Sequence, residues 1–326
     1  MRKVTISVQH CLSDKPVVTE ERLLYGLDVL KVAISEGEIT GYGEATGVWY
    51  LDETAETMLA YARAVKLILE NDVCNDRMQL LRLLPPGGTR NAIDCALWDL
   101  EAKKAGVSLA EYSGIPPKMF SPIEQVSLQT SPCTLMLKAK LVKLSLRSFD
   151  NPIPWLTEFN RHNSGTKIIV DANQHWQFKQ LQAYAPLMRE LGVVVIEQPL
   201  APALDSALEG YQCPVILCAD ESCHDRNDLP SVARHYQMIK IKLDKAGGLT
   251  EALALANAAR QLDLKLMVGN MLGTQLAMQP ALVLARLAEL VDWQRPQLTP
   301  SREGAEAFPD MSVCPLRESE KRCSLR

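Results

Sequence analysis

The amino-acid sequence predicts an α/β protein in which a small α+β domain precedes a TIM-type barrel of parallel strands. Three observations carry this reading. The first 50 residues alternate apolar and polar positions in short runs, as half-buried strands do. A stretch with helical periodicity follows, from about Thr54 to Ser113. After Pro116-Pro117, unalternating apolar runs recur, each leading into one polar or charged residue and then a helical pattern. Strands buried on both faces and separated by helices have this texture. Five or more such units in sequence favour a closed barrel over an open doubly wound sheet, although periodicity alone does not close it.

Taken in order, the runs Val4–Gln9, Val29–Ile34 and Gly41–Ala45 read as an opening meander. Within the helical stretch, Arg90-Asn-Ala-Ile-Asp-Cys-Ala-Leu-Trp-Asp-Leu100 places Ile93, Ala96, Leu97 and Leu100 on one face. Pro85-Pro-Gly-Gly88 ends the helix before it and turns the chain. In the second part, Ile168-Ile-Val170 leads into Asp171, Val193-Val-Val-Ile196 into Glu197, and Val215-Ile-Leu-Cys-Ala219 into Asp220. Met238–Leu243 contains Lys240 and Lys242, and Leu264–Val268 leads into Gly269-Asn270. Only about a dozen residues separate the strand-like Glu124–Gln129 from a strand starting at Leu141, the least a helical crossover uses. Thr134–Lys140 therefore supplies a stub of helix at best.

Composition narrows the partners. Of 326 residues, 47% are hydrophobic and 23% charged, and 35 basic against 39 acidic residues leave a net charge of -4 with no basic block. A nucleic-acid partner held by counterion release is not expected. No run approaches the roughly 18 apolar residues that span a bilayer. The strand-like start lacks a continuous apolar signal core, so a cytoplasmic location is expected. The nine cysteines form no CxxC pair and read as isolated thiols. Neither common nucleotide loop, GxGxxG or GxxxxGK[ST], is present.

The chemistry sits at the ends of the apolar runs. In a βα barrel the C-terminal ends of the strands open into one shared mouth. Asp171, Glu197 and Asp220 end three consecutive strands, so their carboxylates should converge. Converging carboxylates repel unless a cation sits between them, and three hard oxygen ligands suit Mg2+. Lys242 ends the next strand and shares a face with Lys240 under the period-2 rule. A lysine beside a divalent cation loses its proton more readily and suits a general base. Lys245-Ala-Gly-Gly248 then opens a helix, its glycines allowing close backbone approach at the rim. Metal and lysine together fit removal of a proton next to a carboxylate.

These residues resemble the enolase superfamily, muconate-lactonizing subgroup. The motifs are Asp171-Ala-Asn-Gln, Ile196-Glu-Gln-Pro-Leu200, Cys218-Ala-Asp-Glu-Ser-Cys223 and Ile241-Lys-Leu-Asp-Lys-Ala-Gly-Gly248. Arg90–Asp99 and Met267–Thr274 look closest to the L-Ala-D/L-Glu dipeptide epimerases, and the likeness runs to about Pro309. The resemblance implies a capping domain of residues 1–115, completed by the tail 300–326, and a modified (β/α)7β barrel over 116–299. It implies Mg2+ on Asp171, Glu197 and Asp220, with Asn173 and Glu221 as polar neighbours. It implies Lys242 as an acid/base group, and Asn270, Met271, Thr274 and Asp292 as contacts to a small dipeptide substrate. The implied activity is Mg2+-dependent epimerization, with a place in peptidoglycan recycling; a homo-oligomer is left open.

Two departures bear on that activity. The family carries Lys-x-Lys at the end of the second barrel strand, its second lysine being the other acid/base. In register, Leu141-Val-Lys-Leu-Ser-Leu146 puts Lys143 first and Ser145 second. The literal Lys138-Ala-Lys140 lies just upstream and fits less well as a strand end. Two-base epimerization with Lys242 would then need Lys143 or another group on the opposite face. After the last barrel strand, the family's Asp-x-Asp, which holds the substrate ammonium, is here Asp292-Trp-Gln294, followed by Arg295. Trp293 reads as a packing residue, and Val18–Leu23 falls where the specificity loop should be. A one-base lyase of the o-succinylbenzoate synthase kind, or a non-catalytic homologue keeping the fold, tolerates Ser145 better.

Overall fold

The computed structural model describes residues 2–18, 23–71, 76–120, 123–148, 150–293 and 298–300. Most of the loop around 18–23, Gln294, Arg295 and the tail beyond Pro300 therefore lie outside the described residues. The chain opens with β1 (Arg2–Val18), β2 (Leu23–Glu36) and β3 (Ile39–Ala45), an antiparallel meander longer than the alternation suggested. The helical stretch divides into α1 (Ala55–Glu70), α2 (Arg77–Leu83), α3 (Gly88–Lys104) and the short α4 (Leu109–Tyr112). Helix α3 lies on the sheet and buries Ile93, Ala96, Leu97 and Leu100 in a core shared with Val32 and Ile34.

The second part is eight parallel strands in sequence order, curled into one sheet. These are β4 (Glu124–Val126), β5 (Leu141–Ser145), β6 (Lys167–Asp171), β7 (Val193–Glu197), β8 (Ile216–Ala219), β9 (Met238–Ile241), β10 (Lys265–Gly269) and β11 (Leu290–Asp292). The connecting helices are α5 (Ile153–His162), α6 (Phe178–Glu190), α7 (Leu229–His235), α8 (Leu243–Ala246), α9 (Leu249–Gln261) and α10 (Gln275–Ala285). The two edge strands meet across the seam, where the Gln125 amide on β4 donates to Asp292 Oδ1 on β11 at 2.8 Å. Between β4 and β5 the only helical turn is Pro132–Thr134, of 3-10 type, so the short crossover holds even less helix than its length allows. Finally β12 (Leu298–Pro300) returns to pair antiparallel with β1, joining the end of the barrel to the first sheet. Among the described residues no helix is long and apolar enough to cross a membrane, and all six described cysteines are free thiols.

The first domain is fastened over the mouth of the curled sheet by buried polar contacts. Arg90 of α3 donates to the carbonyls of Ala246 (2.6 Å) and Gly247 (3.0 Å). Gly247 and Gly248 adopt φ +72° and +116°, and a Cβ on either would lie 2.5 Å from Arg90 Nε or Asp94 Oδ2. Left-handed backbone and close approach both demand glycine there. Asp94 in turn accepts from the Thr250 amide and hydroxyl, and Asp244 accepts from the Gly47 amide.

Candidate active site

Register places the chemistry-bearing side chains on one inward face. Ser145 pairs with Asp171, Asp171 with Glu197, and Glu197 with Cys218. Asp220 follows two residues after Cys218 and so returns to the same face one layer higher. Lys242 follows two residues after Lys240, just beyond the end of β9, and returns to the same face in the same way. Below this layer, apart from the buried Lys143 and Lys240, the interior is apolar, filled by Ile169, Val195, Cys218, Met238 and Met267. The carboxylates thus stand on a dry floor.

Lysine ammoniums tie these carboxylates together. Lys143 Nζ, on the second strand of the sheet, lies 2.7 Å from Asp171 Oδ2, 2.9 Å from Glu197 Oε2 and 2.9 Å from Asp292 Oδ2. Lys240 Nζ lies 2.8 Å from Glu197 Oε1, 2.7 Å from Asp292 Oδ2 and 3.6 Å from Asp220 Oδ2. Lys242 Nζ reaches Asp220 Oδ2 at 2.6 Å, and Lys245 Nζ reaches Asp220 Oδ1 at 2.7 Å. Lys242 is the outermost of the four, its side chain 13% exposed against 1–4% for the others. As the side chains stand, no three His, Cys, Asp or Glu groups among the described residues gather around one point, because ammoniums stand between the carboxylates.

The electrostatics follow from that packing. Burial would push the Asp220 carboxyl up, but Lys242, Lys245 and Lys240 outweigh it and hold it well below the ordinary range. Asp292 is held down against its burial by Lys143 and Lys240. Burial and the Asp171 charge push Glu197 up, and Lys143 and Lys240 pull against them. Glu221, largely buried beside Asp220, is pushed up to about 7, and its Oε2 is buried with no hydrogen-bond partner. Burial works to lower Lys143 and Lys240, but the surrounding carboxylates prevail and raise both.

Asp171, Glu197 and Asp220 lie on the inward face at the mouth, linked through Lys143 and Lys240 rather than closed on one point, and Lys242 joins them at Asp220. Asn173, at φ +45°, donates its backbone amide to Asp171 Oδ1 and its side-chain amide to the Leu146 carbonyl, fixing the end of β5 against β6. Ser145, exposed at the tip of β5, occupies the mouth, whereas Lys138 and Lys140 precede the strand at its far end. Lys143 is buried beneath the carboxylates rather than presented to the mouth. Asn270 and Met271 follow β10, half-buried at the rim, with the Asn270 amide donating to the Met271 carbonyl. Thr274 is engaged elsewhere: its hydroxyl and amide both bond Glu44 of β3, at 2.7 and 2.8 Å, so it fastens the first domain. Asp292 is likewise occupied, with Oδ1 on Gln125 and Oδ2 on two lysines, at 3% exposure. Trp293 packs against the main core.

Of three supporting residues, two carry no local sequence mark of their place in the site. Lys240 shares a face with Lys242 and Lys245 opens a rim motif, and neither pattern marks a buried ammonium. Lys245 also donates to the carbonyls of Cys223 and Lys240, both at 3.0 Å. Gln198, fully buried at φ +35°, accepts from the Asp220 and Ser222 amides and donates to the Tyr236 hydroxyl. It sets the backbone that aims Asp220. The Glu-Gln pair at the end of β7 was the available signal, since a buried amide next to a charged strand end needs several partners.

Lys143→Met tests the network. It leaves Asp171, Glu197 and Asp292 short of one cation in a dry site, and removing one partner of a buried ionic cluster costs about 3–5 kcal/mol. Urea denaturation should show that loss; a change below about 1 kcal/mol would contradict the ion pairing.

Comparison with known proteins agrees with this architecture. The model for "Mandelate racemase / muconate lactonizing enzyme, N-terminal domain" matches residues 25–114, and that for "Enolase C-terminal domain-like" matches residues 158–313. An L-Ala-D/L-Glu epimerase from Escherichia coli K12 is 38% identical over 278 residues, covering 82% of this chain and 85% of the relative. An N-acetyl-D-glutamate racemase from Pseudoalteromonas sp is 35% identical over 295 residues, covering 89% and 93%. A solved enolase family member from Agrobacterium tumefaciens, with homology to dipeptide epimerases and with bound sodium and L-Ala-L-Glu, superposes with a TM-score of 0.81. It is 33% identical and is covered to 94%, against 93% of this chain. A curled sheet of eight parallel strands with its carboxylates and lysine at the C-terminal ends, capped by an antiparallel meander, places this chain in the enolase superfamily, mandelate racemase/muconate lactonizing enzyme group.

Proposed function

We propose that the protein is an Mg2+-dependent epimerase that removes and returns the α-proton of the glutamyl residue in L-Ala-D/L-Glu-like dipeptides. The observation that carries this is Lys242, the one ammonium of the four that reaches the mouth, 2.6 Å from the carboxylate of Asp220. Asp171, Glu197 and Asp220 would hold the cation, all hard oxygen donors on consecutive strands. The unpartnered Glu221 Oε2 beside them is a further acceptor facing the same region. What the cation supplies is stabilisation of the charge that develops on the substrate carboxylate. Lys242 Nζ, in its neutral form, accepts the α-proton from one face; its return by Lys242 restores the original configuration, and inversion requires a proton delivered to the opposite face. The buried floor keeps water from the lower side of the site, and Gln198 and Lys245 hold Asp220 in place. Strands β5 and β9 are second and sixth of eight, so Ser145 stands opposite Lys242 across the mouth. A serine hydroxyl there has no charge and too high a pKa to act as the second base unaided.

A second reading shares the reaction centre and is favoured by Asp292. Alanyl-glutamate and N-acetylglutamate both carry an amide nitrogen on the reacting carbon and differ in whether the acyl group bears an ammonium. With both Asp292 oxygens committed and Gln294 in place of the second acid, no carboxylate of that motif is offered to an ammonium. An N-acylglutamate without a free amine fits this better. A cytoplasmic location and, for the dipeptide, a role in peptidoglycan recycling belong to the same proposal.

Deuterium exchange in D2O decides among these. With Mg2+, the α-proton of L-Ala-L-Glu or N-acetyl-L-glutamate should exchange, and a chelator should abolish it. Inversion should lag behind exchange because only one face has a lysine. Absence of exchange with both substrates would sink the epimerase reading and leave the one-base lyase or the non-catalytic homologue.

A further inference from the structure

Lys240 is built into the site rather than passing by it. Its stem runs inward from β9 across Gly269 on β10, where a Cβ would lie 2.5 Å from Lys240 Cε. A side chain at 269 would have to displace the lysine stem, and glycine leaves that passage open. The ammonium ends between Glu197 Oε1 and Asp292 Oδ2, with Asp220 Oδ2 at 3.6 Å. Lys143 takes Glu197 from the other side through both its oxygens, at 3.0 and 2.9 Å. Glu197, the middle one of the three carboxylates and fully buried, thus has each oxygen capped by an ammonium. Four carboxylates, Asp171, Glu197, Asp220 and Asp292, face four ammoniums, Lys143, Lys240, Lys242 and Lys245, with Glu221 beside Asp220 as a fifth acid.

Carboxylates already matched by ammoniums gain less Coulomb energy from a dication, and an ammonium a few ångströms away opposes it strongly at the effective dielectric of a protein interior. We propose that Lys240 is an internal counter-ion that competes with the divalent cation for Glu197 and Asp220, so that it sets how tightly the metal binds. The inference rests on the Mg2+ reading above and goes beyond it, because it assigns to this chain a built-in cation that opposes loading. Its corollary is that an anionic substrate, by adding negative charge, favours loading.

Calorimetric titration of Mg2+ into the chelator-treated, substrate-free full chain tests it. Lys240→Gln keeps a hydrogen-bond donor near Glu197 and Asp292 without the charge. Its Mg2+ dissociation constant should fall at least about tenfold below that of the unaltered protein. Its melting temperature should drop in chelator and recover more than the unaltered protein's on adding Mg2+. Should that variant not fold, Lys240→Met and the melting shift in Mg2+ give the same comparison. Equal or weaker Mg2+ binding in a folded variant would overturn the role of Lys240 alone. Binding in neither protein would overturn the Mg2+ reading and this inference with it.

Discussion

Lys242→Met should lower Mg2+-dependent α-proton exchange by about a thousandfold or more, within the range that a positioned general base contributes. The loss should fall on kcat, with KM little changed, because the ammonium is not among the buried cations that shape the floor of the site. Asp220 keeps Lys245 at 2.7 Å and Lys240 at 3.6 Å, so the carboxylate stays oriented and the fold should persist. Lys242→Arg separates charge from proton transfer. A guanidinium preserves the positive partner of Asp220 yet stays protonated at any working pH, so it should be as inactive as Met. Exchange within about tenfold of the unaltered protein in either variant would remove Lys242 from the role of base.

The mouth of the site is legible in the sequence, and the layer beneath it is not. Asp171, Glu197, Asp220 and Lys242 were legible because each ends an apolar run, and a barrel strand delivers its last inward residue to the mouth. The Lys143/Ser145 register was legible for the same reason, since Leu141 to Ser145 is the only run there with strand character. The charge network was not, because nothing local marks a lysine as buried. Lys240 looks like any strand lysine until Gly269, one strand over, is seen to leave space for its stem. Asp292 and Thr274 carried the residue types of substrate contacts, but their partners Gln125 and Glu44 lie 167 and 230 residues away in the chain. The meander exceeds its apolar alternation for a simpler cause. Ser13-Asp-Lys-Pro16 breaks the apolar alternation, although the β1–β2 pairing resumes beyond it at Val17 with a shift in register.

The position opposite Lys242 offers the sharpest gain-of-function test. Ser145 is exposed at the tip of β5 and in register with Asp171, on the strand diametrically across the mouth from β9. A lysine stem there extends into open space rather than into the core, so Ser145→Lys should change stability by no more than about 0.5 kcal/mol. Its ammonium would add a fifth positive charge to the cluster, with Lys143 two residues earlier on the same face. Like-charge repulsion disfavours the protonated form and so favours the neutral amine that a base needs. With a proton acceptor on each side of the substrate carbon, inversion should rise about a hundredfold or more and approach the rate of exchange. Enzyme-catalysed inversion of N-acetyl-L-glutamate and of L-Ala-L-Glu, followed by chiral chromatography, reads this directly. If folded Ser145→Lys, binding Mg2+ as the unaltered protein does, exchanges the α-proton without faster inversion, then position 145 is not where the second base belongs.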